Sequence, residues 1–432
     1  MSHFLFCHDQ LVAELDLPVT LAGGEGWGLD FRRKPPFELS PHLPYAAGLD
    51  KTAIRHFFVN YLPESPYSER VAARFTPRPQ TDAQLLACLG YELAGAFSVE
   101  ESANQNVRAG RVDGYDSLAF NAVEEAVHDS RDRADAVAFQ SQLARLSLAG
   151  AQDKFALWFN PKAADANERF KLPTGRAAST HIFKPASTDT RYPFLPANEY
   201  ACAMLAGLLG LRTADTDILT LGGVRTLVTK RFDRRSANLA SQAVSRLHQI
   251  DLCQLLNRPR EAKYGSEGGI DMADFFNASQ HLAIPALARQ DLLRSWLFNF
   301  LIGNHDAHAK NFSFSYVQKK WQLAPLYDLL CVAPYLPNQP LAMGLLDEYR
   351  PGWFERTHWL ALAKLAGVTP AYLISSIQHF LDEMPNASVR LAALLRQKLT
   401  NEELYFLSER INPIIQLRAQ WLADAIQHLR TV

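Results

Sequence analysis

The sequence predicts an α+β chain of two unequal lobes, a small sheet lobe followed by a mainly helical one, with a segment of short strands and loops ahead of both. Three observations lead there. Between about 145 and 235 short apolar runs alternate with turn signals, and two of them, Asp217–Leu221 and Val224–Phe232, are joined by Gly222-Gly223, the composition of a tight hairpin. After about 245 apolar residues recur at helical spacing, most plainly Leu292, Leu293, Trp296, Leu297, Phe300 and Leu301. The stretch 122–142 is rich in Ala, Asp, Glu and Arg with little apolar surface, which suits an exposed helix at a boundary between lobes. These shifts divide the chain into 1–140, 141–235 and 236–432.

In chain order, residues 1 to about 65 read as short strands and loops, punctuated by Gly23, Gly24, Gly26, Gly28, Pro35, Pro36, Pro41 and Pro44. Residues 53–62 and 81–93 carry amphipathic helical patterns. Lys154–Phe159 and His181–Pro185 read as strands. Over 198–210 the residues Tyr200, Met204, Leu205, Leu208 and Leu209 fall on one helical face, and Gly210 suits the position just past the helix end. Phe312–Val317 and Trp321–Leu323 flank Gln318-Lys319-Lys320 as a second hairpin, and from 358 onward the pattern is three or four helices.

Bulk composition removes several classes. With 48% hydrophobic and 21% charged residues and no low-complexity tract, the chain suits a folded globular protein better than a disordered one. A formal net charge of -1 does not announce nucleic-acid binding; the densest basic cluster, Lys230, Arg231, Arg234 and Arg235, is either a local basic face or a solvated strand end. Cys7, Cys88, Cys202, Cys253 and Cys331 are odd in number and form no CxxC pair, which points to a reducing, cytoplasmic setting instead of a disulfide framework or structural zinc. The opening residues carry acids and lack a basic, then apolar, leader pattern. No run of eighteen apolar residues occurs, so no membrane span is expected.

The most informative string is Gly303-Asn304-His305-Asp306-Ala307-His308-Ala309-Lys310-Asn311, between a helix and a hairpin. Asp306 and Asn311 stand five apart, the spacing of the catalytic loop of kinases, where the Asp receives the proton of the acceptor hydroxyl and the Asn holds magnesium. Asp328 follows the hairpin, where a kinase keeps its main magnesium ligand. Mg²⁺ takes hard oxygens and few carboxylates, because phosphates and water complete its shell, while one carboxylate must stay off the metal to take the proton. Lys184, ending a strand, can reach nucleotide phosphates; a strand-end lysine is more often simply solvated. Glu199 either pairs with that lysine or is an acid favoured near a helix N-terminus. Ser147–Lys154 is rich in small residues and can bring backbone N–H groups to phosphates, although an ordinary turn has the same composition.

Two other readings use the same residues. His305, Asp306 and His308, with His248 and Asp328, suit a metal-dependent phosphohydrolase, although no His-x₃-His spacing supports it. A non-catalytic corepressor subunit is the third; intact Lys184, Asp306, Asn311 and Asp328 argue against a decayed site.

Taken in order, SLAGAQDK, THIFKP, NEYACAMLAGLLGL, KRFDRR, RLHQIDLCQLL, KYGSEGGI, GNHDAHAKNFS, LAPLYDLL and LAMGL resemble the HipA-like kinases, and FFVNYLPESP resembles the N-terminal segment of that family. The resemblance covers most of the chain. It implies a two-lobed protein-kinase-like fold with an extra N-terminal subdomain packing on the small lobe and a mainly helical C-terminal lobe. It implies ATP and Mg²⁺, with Asp306 as proton acceptor and Asn311 and Asp328 as metal ligands. The nucleotide is then bordered by Ala149, Gly150, Ala151, Gln152, Asp153, Lys154, Lys184, Lys230, Arg231, Phe232, His308, Ala309, Lys310, Asn311, Tyr327 and Asp328. The family is autophosphorylated on a serine that corresponds to Ser147, which shuts the kinase off. Its members are toxins of toxin–antitoxin pairs: the partner is a small helix-turn-helix repressor, operator DNA is met through or alongside it, and the substrate is an aminoacyl-tRNA synthetase. This chain departs from the family pattern at His305, just before the catalytic Asp, and at Asp153, where Glu is usual.

Overall fold

A computed structural model describes residues 2–8, 10–18, 26–65, 67–103, 114–132, 154–236 and 243–430. Ser147 and the loop residues Ala149, Gly150, Ala151, Gln152 and Asp153 lie outside them. The chain forms two compact units, residues 1–188 with 219–250 and residues 189–218 with 251–432.

Among the described residues the first unit contains two larger antiparallel sheets and a two-stranded ribbon. One has the order β3-β2-β1-β4, from β1 (Ser2–Cys7), β2 (Gln10–Asp16), β3 (Gly28–Phe31) and β4 (Phe97–Glu100). Helices α1 (Lys51–Val59), α2 (Tyr67–Ala72) and α3 (Asp82–Leu89) lie between β3 and β4 in sequence. The patterns at 53–62 and 81–93 do form helices, shifted to where Asp50 and Thr81 cap their first turns.

The second sheet has the order β5-β7-β6-β8-β10-β9. Its strands are β5 (Gly114–Ser117), β6 (Phe155–Phe159), β7 (Phe170–Thr174), β8 (His181–Pro185), β9 (Thr216–Leu221) and β10 (Val224–Lys230). The β9–β10 turn is the expected one, with Gly222 and Gly223 both at positive φ. Helix α4 (Phe120–Asp132) covers this sheet: Val123 and Val127 pack with Phe155, Phe159, Phe170 and Phe183. The pattern read as an exposed boundary helix therefore has an apolar face after all, made of a few well-spaced residues.

The basic cluster is neither a surface face nor a solvated strand end at two of its four positions. Arg231 and Arg234 are buried, Arg234 opening the short strand β11 (Arg234–Ser236), which pairs with β12 (Val244–Arg246). Glu92 accepts from Arg231 at 2.8 Å, Arg234 at 3.0 Å and Arg246 at 2.7 Å, and Asp233 bonds Arg231 and Arg234 at 2.8 Å each. Asp233 also accepts from the Gly95 N–H at 2.7 Å. Burial opposes the ionised form of Glu92, but the three guanidiniums outweigh it and hold its pKa down at about 2. The network joins the segment after α3 to the strand ends beyond β10.

In the second unit, α5 (Leu195–Leu208) was expected to show one apolar face and to belong with the sheet lobe. It is instead buried nearly all round, Ala197, Asn198, Glu199, Ala201, Cys202, Ala203 and Ala206 included. Small side chains permit close approach on every side: Asn198 donates to the Cys331 carbonyl at 2.9 Å, and the helix packs on α10 (Pro370–Lys398). Gly210 takes the expected place past its end, with the Leu211 N–H on the Ala206 carbonyl at 3.0 Å. The short helices α6 (Leu252–Leu255) and α7 (Met272–Asn277) lead to α8 (Pro285–Leu301), in which all six residues read as core are buried. The hairpin β13 (Ser313–Val317) and β14 (Lys320–Leu323) follows, then α9 (Arg356–Ala366), α10, α11 (Asn401–Phe406) and α12 (Asn412–Arg430). Among the described residues no single helix is long and apolar enough to cross a membrane.

Candidate active site

The site residues of the second unit are gathered where α8 ends. Gly303 stops the helix at a φ of 69° and accepts at its carbonyl from Val332 and Ala333, at 3.1 and 3.2 Å. A Cβ there would lie 2.8 Å from Ile414, so the turn demands glycine on both counts. The loop then folds back: His308 N–H reaches the Asp306 carbonyl at 2.7 Å and Asn311 N–H the His308 carbonyl at 2.9 Å. The Asn311 side chain donates to the Asp306 carbonyl at 2.9 Å through its amide nitrogen, so that bond does not use its amide oxygen. Asp306 and Asn311 thus share one turn, as their spacing predicts.

Asp328 is brought to the same loop by the segment after β14. Leu326 pairs with the chain at 212–214 through two backbone bonds of 2.8 Å. Tyr327 donates to the Lys310 carbonyl at 2.8 Å and bonds Ser313 at 2.7 Å. Asp328 itself has a φ of 53°, a left-handed conformation that Asp tolerates better than most residues. Asn304 joins the two acids. Its amide nitrogen donates to the Asp328 carbonyl at 3.2 Å and to Asn299 at 2.8 Å, while its oxygen accepts from the Asp306 N–H at 3.2 Å. Asp306, Asn311, Tyr327 and Asp328 are all half-buried, open enough to meet a ligand. Asn311 and Asp328 offer one amide oxygen and one carboxylate, a hard-oxygen pair that fits Mg²⁺ when phosphates and water complete its shell.

Other expected contacts fall differently. Lys310 is buried and its ammonium donates to Asp251 at 2.8 Å, so it braces the loop from behind. Asp251 in turn caps α6, accepting from the Gln254 N–H. Arg231, expected beside the base, is committed to Glu92 and Asp233. His308 and Ala309 are buried; burial, with Lys263 and Lys310 nearby, drives the His308 pKa well below its ordinary value and keeps the imidazole neutral. Within the first unit Lys184 lies buried on β8 opposite Leu227, Lys154 is buried with its carbonyl taking the Tyr67 hydroxyl at 2.7 Å, Lys230 is exposed and Phe232 half-buried.

The phosphohydrolase constellation does not assemble. His305 accepts at Nε2 from Arg418 at 2.6 Å, and His248 stacks on Phe37 and bonds the Leu39 carbonyl at 2.8 Å. Among the described residues no three His, Cys, Asp or Glu side chains gather as a metal site. Sequence reasoning gave no role to Asn304, Asp251, Arg418 or Tyr264. Asn304, Asp251 and Tyr264 lay in strings that carried the resemblance, GNHDAHAKNFS, RLHQIDLCQLL and KYGSEGGI, and were the three open to notice.

Known proteins resemble this chain along most of its length. Residues 146–388 match the HipA-like C-terminal domain and residues 27–100 the HipA N-terminal domain. The chain is 33% identical over 380 residues to "Putative kinase Y4mE" of Sinorhizobium fredii, covering 86% of each. It is 29% identical over 372 residues to the serine/threonine-protein kinase toxin HipA of Shewanella oneidensis, covering 83% of this chain and 82% of that one. The solved complex of HipA, HipB and operator DNA from Shewanella oneidensis MR-1 contains a chain that superposes with a TM-score of 0.83 at 25% identity, covering 100% of this chain and 99% of that one. With both domains matched in order and the fold shared along its length, the chain belongs to the HipA family.

Proposed function

We propose that this protein is an ATP- and Mg²⁺-dependent serine/threonine protein kinase acting in the cytoplasm as the toxin of a toxin–antitoxin pair. The observation that carries the reading is the union, through Asn304, of a loop holding Asp306 and Asn311 with the segment holding Asp328. One half-buried carboxylate is available as proton acceptor and a separate amide–carboxylate pair as metal ligands, the division of labour phosphoryl transfer requires. An acceptor serine gives its proton to Asp306 as its Oγ bonds to the γ-phosphorus. The bond from that phosphorus to the β–γ bridging oxygen breaks, and ADP leaves. Asn311 and Asp328 hold the Mg²⁺ that offsets the phosphate charge.

Lys184 is the cation proposed for the phosphates. The 149–154 loop, Lys230, Phe232, His308, Ala309 and Tyr327 are proposed to border the nucleotide. Arg231 and Lys310 are left out, because the guanidinium is already bonded to two buried acids and the ammonium to the half-buried Asp251. Ser147 is the proposed site of self-inactivating phosphorylation: nearly two added negative charges beside a triphosphate repel it. A relative's solved complex with HipB and operator DNA supports a small helix-turn-helix antitoxin as partner, with DNA met through or alongside it. The proposed substrate is a translation component such as an aminoacyl-tRNA synthetase.

The test is incubation with γ-labelled ATP and Mg²⁺ followed by phosphopeptide mapping. Label on Ser147 is expected in the wild type, with a loss of roughly a hundredfold or more in Asp306→Gln at unchanged thermal midpoint. Absence of label on a chain that mass spectrometry finds unmodified would reject the kinase reading.

A further inference from the structure

Tyr264 has extended backbone between two short 3-10 turns, Arg260–Lys263 and Gly265–Glu267, far from the catalytic loop in sequence, yet its hydroxyl donates to Asp306 Oδ1 at 2.6 Å. That is the length of a charge-assisted O–H···O⁻ bond. The contact is built from both ends. The Tyr264 ring meets the buried His308 edge-on, with centroids 5.1 Å apart at 81°, and Lys263 sits 4.8 Å from its centre. The backbone is set as well. Gly265, the next residue, donates its N–H to the Ala342 carbonyl at 2.8 Å, and the Ala342 N–H donates to the His305 carbonyl at 2.9 Å. The Gly265 carbonyl takes the Tyr349 hydroxyl at 2.8 Å.

The residue after Tyr264 and the residue before Asp306 are therefore bonded to the two faces of one amino acid, Ala342. With the side-chain bond, three hydrogen bonds close a circuit through three segments distant in sequence. A chance surface contact between a tyrosine and an aspartate has no such frame, and a free carboxylate rotates about its χ angles at little cost.

We propose that Tyr264 is a positioning residue for phosphoryl transfer, holding Asp306 by Oδ1 so that Oδ2 faces the acceptor hydroxyl. The inference rests on the kinase reading above. Its consequence is specific. Tyr264 touches neither the proposed metal ligands nor Lys184 through any of these bonds, so its hydroxyl acts on the proton-transfer geometry and leaves ATP affinity alone. The ring, which packs on His308, serves a separate structural end, and Tyr264→Phe retains it.

The experiment compares phosphatase-treated wild type, Tyr264→Phe and Asp306→Gln as full-length proteins. Labelled ATP and Mg²⁺ are supplied with casein as acceptor, and transfer to the chain itself is followed in parallel. The expected result for Tyr264→Phe is a kcat lower by roughly 10- to 100-fold, the effect of losing one hydrogen bond to a charged group. Its KM for ATP should stay within about twofold of wild type, since its hydroxyl gives no uniform binding. Thermal unfolding of the same samples checks that Tyr264→Phe is folded. A folded Tyr264→Phe that keeps wild-type kcat, gains activity, or loses it only through a raised KM for ATP overturns the proposal while leaving the kinase reading intact. A wild type that labels neither itself nor casein removes the kinase reading, and this proposal with it.

Discussion

Arg418, on α12, donates to His305 Nε2 at 2.6 Å, one residue before Asp306. The bond sets the imidazole tautomer, with the proton on Nδ1. The guanidinium also lies over the rings of Phe300, at 5.1 Å, and Trp421, at 4.6 Å. Its pKa is lowered to about 10 by burial, and burial with Arg418 alongside brings His305 down to about 4. Arg418 thus fixes the side chain next to Asp306 from a helix more than a hundred residues away.

Arg418→Met should cost about 1–3 kcal/mol of stability, the range for leaving a buried acceptor unpaired. Combining it with His305→Leu should recover part of that loss, since both polar partners are then gone. Urea unfolding of the two single variants and the double variant gives the coupling energy, and strict additivity would mean the bond contributes nothing.

Asn304→Ala should act on both acids at once. The amide holds the Asp328 carbonyl and the Asp306 N–H, so its loss loosens both segments, including the left-handed backbone at Asp328. The expected outcome is a rise of about tenfold in the Mg²⁺ concentration for half-maximal transfer, together with a fall in kcat. A magnesium titration of the variant reads it directly.

Glu92→Gln should destabilise the chain by about 3–5 kcal/mol, because three buried arginines lose their shared acid. The sign of the pH effect follows from the depressed pKa. The stabilisation by Glu92 is complete above its ordinary value of 4.5 and is lost as pH falls towards about 2. Chemical unfolding between pH 7 and pH 3 should therefore show a shallower acid limb in Glu92→Gln than in wild type.

The buried histidines act at higher pH. Burial lowers His248 to about 4 and His181, which also faces Lys230, to about 3, against an ordinary 6.5. Below pH 6.5 the unfolded chain takes up protons that the folded chain refuses, so stability falls as pH drops towards 4. Each such group contributes on the order of 1 kcal/mol per pH unit. His248→Phe, which keeps the stacking on Phe37 and the edge contact with Phe97, should flatten this limb in thermal unfolding followed from pH 7 to pH 5.

Much of the fold was legible because its signals are short-range. The burial of Leu292, Trp296 and Phe300 follows from spacing along a single helix, and the β9–β10 turn from two adjacent glycines. Where the local pattern misled, neighbours in space were responsible. The periodicity of α5 marks an apolar stripe, but the alanines and Asn198 on its other sides are buried by elements far along the chain, Cys331 and α10 among them.

The same division runs through the site. The pairing of Asp306 with Asn311 on one turn is a matter of five residues of backbone, and their spacing alone announced it. The direction taken by charged and hydroxyl groups was not open to such reasoning. Arg231 finds Glu92 139 positions away, Lys310 finds Asp251 59 away, and Tyr264 finds Asp306 42 away. Residue type records that a guanidinium, an ammonium or a phenol is present and what it can bond. Whether it faces a nucleotide or a buried carboxylate depends on which distant segment folding brings within about 3 Å, since hydrogen bonds and ion pairs of this kind act only over that range.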